Sequence, residues 1–163
     1  MSLIPYAANN VRAMIFVDGE NLAIRYGALL RERNEQPKSD IEYEPGIFVW
    51  KKNIDYVGGQ SIFVVRKYYY TALQGDFPLI EKTEERLKGL EFESPRVFKR
   101  IKDRDSKQVD IALATDMLTH AFRKHYDVAI LVAGDEDYVP LVRAVQGEGA
   151  RVYDGFFLAD LAG

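Results

Sequence analysis

Four aspartates in this chain stand where acidic side chains can act together. Asp18 directly follows the apolar run Ala13-Met14-Ile15-Phe16-Val17, and Asp135 and Asp137 follow the run Val128 to Val132. Apolar runs of this kind, without polar alternation, read as strands buried on both faces. Three carboxylates are thereby delivered to one edge of a sheet. Asp110 joins them from the start of the helical segment that precedes Val128, where the helix dipole favours a carboxylate facing back towards the strand ends. Like charges a few ångströms apart raise each other's pKa, so such a cluster is stable at neutral pH mainly when a cation neutralises it. Oxygen ligands select hard ions, Mg²⁺ or Mn²⁺, and Mg²⁺ keeps waters that can serve as nucleophile or proton shuttle. The competing reading is that an Asp after a strand forms a turn or caps a helix by accepting backbone N–H bonds. It weighs most for Asp137. Asp116 lies six residues beyond Asp110, roughly 240° around a helix. The two cannot both face one ion, and Asp116 reads as a structural support behind the ligands.

Other chemistries have little to work with. The absence of cysteine excludes thiol nucleophiles, disulfides and cysteine-bound zinc, and two histidines, His120 and His125, cannot build a three-histidine zinc site. Both fall in the last turns of one predicted helix, where a dipole or solvent role is expected. None of the five serines sits in a nucleophile-elbow pattern. Gly58-Gly59 and Gly147-Glu148-Gly149 match neither dinucleotide nor P-loop fingerprints. The formal charge of −3 does not advertise nucleic acid, but residues 96–107 hold six basic residues, Arg96, Lys99, Arg100, Lys102, Arg104 and Lys107, against two acidic ones. A strip of that kind beside a metal site suits a phosphate backbone, and Arg66-Lys67 followed by Tyr68-Tyr69-Tyr70 offers charge beside rings able to stack on bases. The plainer reading is a solvated loop and a core strand.

The elements that must position these residues alternate. The run to Val17 is followed by a predicted helix from Glu20 to Arg33, a polar turn-like stretch from Asn34 to Pro45, and a second predicted helix from Pro45 to about Tyr56 with Ile47, Trp50, Ile54 and Val57 on one face. A strand is expected over Ser61–Tyr70, a helix over Pro78–Leu90, a weaker strand over Pro95–Lys99, and a helix over Gln108–His125 with Ile111, Ala114, Leu118 and Phe122 on one face. The strand Val128–Val132, a helix from about Tyr138 to Glu148 and a strand Arg151–Phe157 complete the chain. Strand–helix alternation with non-alternating apolar strands predicts an α/β fold, three-layer α/β/α with a mainly parallel central sheet. At 163 residues the expectation is one domain spanning 1–163. The longest strongly apolar run is six residues, Val128 to Ala133, far short of the roughly 18 a membrane span needs. With no signal-peptide pattern and no cysteine, a cytoplasmic location without membrane association is expected. A homo-oligomer is left open.

Three segments carry a family resemblance. Phe16-Val17-Asp18-Gly19-Glu20-Asn21, Lys107-Gln108-Val109-Asp110 continuing to Asp116, and Leu131-Val132-Ala133-Gly134-Asp135-Glu136-Asp137-Tyr138 followed by Pro140-Leu141 resemble, in order and spacing, the signature segments of NYN domains. These belong to the PIN-like nuclease superfamily, and the bacterial LabA-like members are the most similar in style. The resemblance covers about residues 12–157, the expected core of the domain, and implies a PIN-like fold and a metal-dependent ribonuclease site. Asp18, Asp110, Asp135 and Asp137 fall on the family's acidic positions, Asn21 on its polar partner and Asp116 on a further acidic position. Ala133 and Tyr138 stand where the family usually has Ser and Phe, and neither change removes a ligand. The expectation is therefore hydrolysis of RNA. Asp18, Asp110 and Asp135, assisted by Asp137, would hold Mg²⁺ or Mn²⁺; Asn21 would orient a carboxylate or phosphate oxygen, and Arg104 and Lys107 would hold the RNA backbone. Two rival readings are a catalytically silent RNA-binding module and a haloacid-dehalogenase-like phosphohydrolase. The second wants Asp-x-Asp after the first strand, where this chain has Asp18-Gly19-Glu20.

Overall fold

A computed structural model of the protein describes residues 11–51, 62–101, 107–133 and 136–154. β1 (Val11–Asp18) leads into α1 (Gly19–Arg33), and a hairpin of β2 (Ile41–Glu44) and β3 (Phe48–Lys51) follows. Next come β4 (Ile62–Leu73), α2 (Phe77–Gly89), β5 (Arg96–Lys99), α3 (Lys107–Phe122) and β6 (Val128–Val132). A 3₁₀ turn (Glu136–Tyr138), α4 (Val139–Gly147) and β7 (Arg151–Asp154) end the described chain. The central sheet has the order β5-β4-β1-β6-β7, and every neighbouring pair is parallel. Helices α1 and α2 and the hairpin bury Leu22, Ala23, Tyr26, Leu87, Phe48 and Trp50 on one face, while α3 and α4 bury Val109, Leu113, Met117, Leu141 and Val145 on the other. This is the expected three-layer α/β/α arrangement. No helix among the described residues is long and apolar enough to cross a membrane.

β1 and β6 lie side by side at the middle of the sheet, and the chain leaves them in opposite directions, β1 towards β4 and β6 towards β7. That divergence opens a crevice beyond their carboxyl ends, the place where open α/β sheets bind ligands. Asp18 is the last residue of β1, level with Tyr70 of β4.

Two expectations fail. The segment after Pro45 is a strand, and the stretch before it is not all turn. Glu44-Pro45-Gly46-Ile47 forms a tight turn in which the Ile47 N–H donates to the Glu44 carbonyl at 3.0 Å and Gly46 takes φ +72°, a conformation that favours glycine. The turn pairs Tyr43 with Val49 and buries the consecutive residues Phe48, Val49 and Trp50, which no single helical face can do. Ile54 and Val57 lie outside the described residues. In α3 the face formed by Ile111, Leu118 and Phe122 is the outer one, with Phe122 70% exposed, and the face of Val109, Leu113, Met117 and Ala121 packs on the sheet. The last strand is described only to Asp154, and Gly155 to Phe157 lie outside the described residues.

Candidate active site

Asp18 does two things at once. As the N-cap of α1, its Oδ1 accepts the Asn21 N–H at 3.1 Å, while its Oδ2 accepts the Tyr138 hydroxyl at 2.8 Å. Asp18 is therefore a helix cap that also bonds the Tyr138 hydroxyl. The chain turns sharply enough for this because residue 19 lacks a Cβ: one placed there would fall inside the ring of Tyr69. That ring cannot yield, being buried with its hydroxyl bonded to both the Val49 N–H and the Val49 carbonyl at 3.0 Å.

The Tyr138 oxygen also lies 3.0 Å from Asp110 Oδ1, so one phenol touches carboxylates delivered by β1 and by the first turn of α3. Burial is the main cause that raises the Asp18 carboxyl from its usual 3.8 to about 6. The charges of Asp110 and Glu20 add to it, and the bonds from Asn21 and Tyr138 partly offset it. Burial and the two carboxylates together push the Tyr138 phenol well above the ordinary tyrosine range, so it stays protonated and can donate.

Beside this pair runs a groove of about 500 Å³ between α3 and α4, lined by Asp110, Asp137, Tyr138 and the apolar Ile111, Leu118 and Pro140. Asp137 is exposed at its rim, and Tyr138, the N-cap of α4, makes no side-chain capping bond. Asp135 and Arg104 lie outside the described residues, and Lys107 is placed only as the first residue of α3. Among the described residues no three His, Cys, Asp or Glu side chains gather into a metal cage. Asn21 stands at the start of α1 with its side-chain carbonyl oxygen buried and without a hydrogen-bond partner among the described residues. Buried acceptors are normally satisfied, and among the described residues nothing satisfies this one.

Asp116 is held elsewhere. Tyr70 donates to its Oδ2 at 2.8 Å and Arg96 reaches the same oxygen at 3.3 Å. Burial and the Asp116 charge raise the Tyr70 phenol far above its ordinary value. The basic strip is likewise partly committed: besides Arg96, Arg100 pairs with Glu20 at 2.6 Å and reaches the Gly46 carbonyl at 3.4 Å. Tyr68, Tyr69 and Tyr70 are all buried, in line with the plainer core-strand reading and not with stacking on bases. His120 bonds Tyr68 through Nε2 at 3.0 Å and His125 through Nδ1 at 2.8 Å. Burial and the His125 charge lower its pKa. It lies ten residues along α3 from Asp110, about 15 Å away along the axis.

Sequence reasoning passed over three residues here. Tyr138 was noticed only as a departure from a family pattern, and Glu20 and Arg100 were read as a motif position and a strip charge. Their pairing joins the ends of β1 and β5, which no local spacing encodes.

The fold is thus a parallel α/β/α sheet with Asp18 and Asp110 brought together at its switch point. The chain belongs to the NYN domain family, whose match spans residues 12–157, within the PIN-like nuclease superfamily, whose members are in general hydrolytic nucleases. Among solved structures it is similar to a protein of unknown function from Vibrio parahaemolyticus, with a TM-score of 0.58 and 21% identity over 90% of this chain and 81% of that one. That likeness supports the fold. No curated protein matches the chain in sequence.

Proposed function

We propose that this chain is a ribonuclease that hydrolyses phosphodiester bonds with Mg²⁺ or Mn²⁺. The observation that carries the reading is the meeting of Asp18 and Asp110 at a single phenol oxygen beyond the switch-point strands. The donors there fit a hard ion, because they are carboxylate and amide oxygens, and Mg²⁺ is commonly held by one or two carboxylates with waters completing its shell. Asp18 and Asp110 would hold the ion, with Asp135 and Asp137 as further oxygen donors. When bound, such an ion neutralises charge on the phosphodiester and activates water for in-line attack.

The chain's own residues supply the rest. The Asn21 N–H fixes Asp18 Oδ1 and so aims Oδ2 at the site, and the Asn21 side chain orients a carboxylate or phosphate oxygen. Arg104 and Lys107 position the RNA backbone through its phosphates without reading sequence. The test is incubation of single-stranded and structured RNA with EDTA, Mg²⁺ or Mn²⁺, comparing wild type with Asp110→Asn. Cleavage that needs the ion and disappears in the variant supports the reading. RNA binding without cleavage under any metal assigns the chain to the silent binding modules instead.

A further inference from the structure

The two carboxylates are not merely near each other; they are joined through Tyr138. A phenol has one proton, and its oxygen lies 2.8 Å from Asp18 Oδ2 and 3.0 Å from Asp110 Oδ1. Both are hydrogen-bond distances, so one donor is shared between two acceptors. Asp18 Oδ1 is already fixed by the α1 cap. The oxygen through which Asp18 would bind an ion is therefore the oxygen that Tyr138 holds. Mg²⁺ would need that oxygen at about 2.0–2.1 Å, and the Tyr138 proton already takes its lone pair on the side that faces Asp110.

We propose that the Tyr138 hydroxyl is an internal competitor for the divalent cation: it bridges Asp18 and Asp110 in the metal-free protein and must release Asp18 Oδ2 for an ion to bind both. This rests on the reading above that the pair holds an ion. Tyr138 is a positioning residue in this scheme, since it acts on the ligands and touches no substrate. Its ring is buried and closes the 3₁₀ turn before α4, so the ring remains as packing when the hydroxyl alone is removed. A hydrogen bond to a charged group is strong enough to matter and weak enough to be displaced. The hydroxyl thus keeps the pair assembled while lowering its affinity for the ion.

Tyr138→Phe removes the competitor and keeps the ring. Calorimetric titration with Mn²⁺ and with Mg²⁺ should show the variant binding about tenfold tighter than wild type, while in EDTA it melts at a lower temperature because the bridge is gone. Equal or weaker metal affinity in a folded variant, with wild type still binding, overturns the inference and leaves the metal site standing. Binding in neither protein at millimolar ion overturns both. A second measurement does not depend on the variant folding. With 3-fluorotyrosine at position 138 in the otherwise unaltered chain, Mg²⁺ should shift the fluorine resonance saturably, with the midpoint found by calorimetry. An unmoved resonance at saturating Mg²⁺ overturns the displacement.

Discussion

Replacing Asp18 with Asn should stabilise the metal-free protein at pH 8, although it removes a charge from the proposed catalytic centre. The folded protein raises the Asp18 carboxyl from 3.8 to about 6, chiefly by burial. A group whose folded pKa lies above its unfolded one favours folding fully below pH 4, and that contribution is lost as pH rises through 6. At 1.36 kcal/mol per pKa unit, ionised Asp18 costs the fold about 3 kcal/mol at pH 8. Asn avoids this cost and keeps the local bonds. Its Oδ1 can still cap α1, and its amide can donate to the Tyr138 oxygen while the Tyr138 proton goes to Asp110. For a domain of this size the melting temperature should rise by about 6–12 °C at pH 8. The gain should shrink to near zero by pH 4. Calorimetry in EDTA from pH 4 to 8, on wild type and Asp18→Asn, measures the difference while cancelling most other titrations. Added Mg²⁺ should recover stability in wild type alone. A variant less stable than wild type at pH 8, or a difference that does not change with pH, refutes the reasoning.

Gly19→Ala should cost about 3 kcal/mol or more in a urea unfolding midpoint, because the new methyl meets a Tyr69 ring pinned at both its face and its hydroxyl. Asp116→Asn should leave Mn²⁺ affinity unchanged in calorimetric titration and lower stability by about 1 kcal/mol, since its partners Tyr70 and Arg96 are structural and the arginine is half-exposed. Mg²⁺ or Mn²⁺ at 100 times its dissociation constant should stabilise wild type by about 2.7 kcal/mol in thermal scans. Neutralising Arg104 and Lys107 to Gln should flatten the salt dependence of RNA binding by about 0.7 in log–log slope per lost contact, whatever the RNA sequence.

The central strands were legible because β1 and β6 are buried on both faces and so show apolar runs with no alternation to misread. The hairpin was not, because Ile47 and Trp50 also satisfy a helical spacing. What decides between the two is the Pro45-Gly46 turn and the pairing of Tyr43 with Val49 across it, an interaction between segments. In α3 the inner residues Val109, Leu113, Met117 and Ala121 and the outer residues Ile111, Leu118 and Phe122 are both apolar at helical spacing. Periodicity finds such a helix but cannot say which side meets the sheet.

The site divides in the same way. Asp18 and Asp110 could be found from strand ends and a helix start, since topology alone delivers them to the switch point. In the strip of residues 96–107, counting charges leaves out partners: Arg100 pairs with Glu20 and Arg96 with Asp116, while Lys102 and Arg104 lie outside the described residues. Tyr138 was passed over because a tyrosine in place of phenylalanine adds only an oxygen, and its meaning depends on what lies within 3 Å. These partners also differ in kind. An arginine is a permanent positive charge that a cation cannot replace without repulsion, so Glu20 and Asp116 are committed to structure. A phenol is neutral, and in the inference above it gives way to an ion at Asp18. Whether an acid's partner is charged or neutral is a feature that residue type and spacing do not carry.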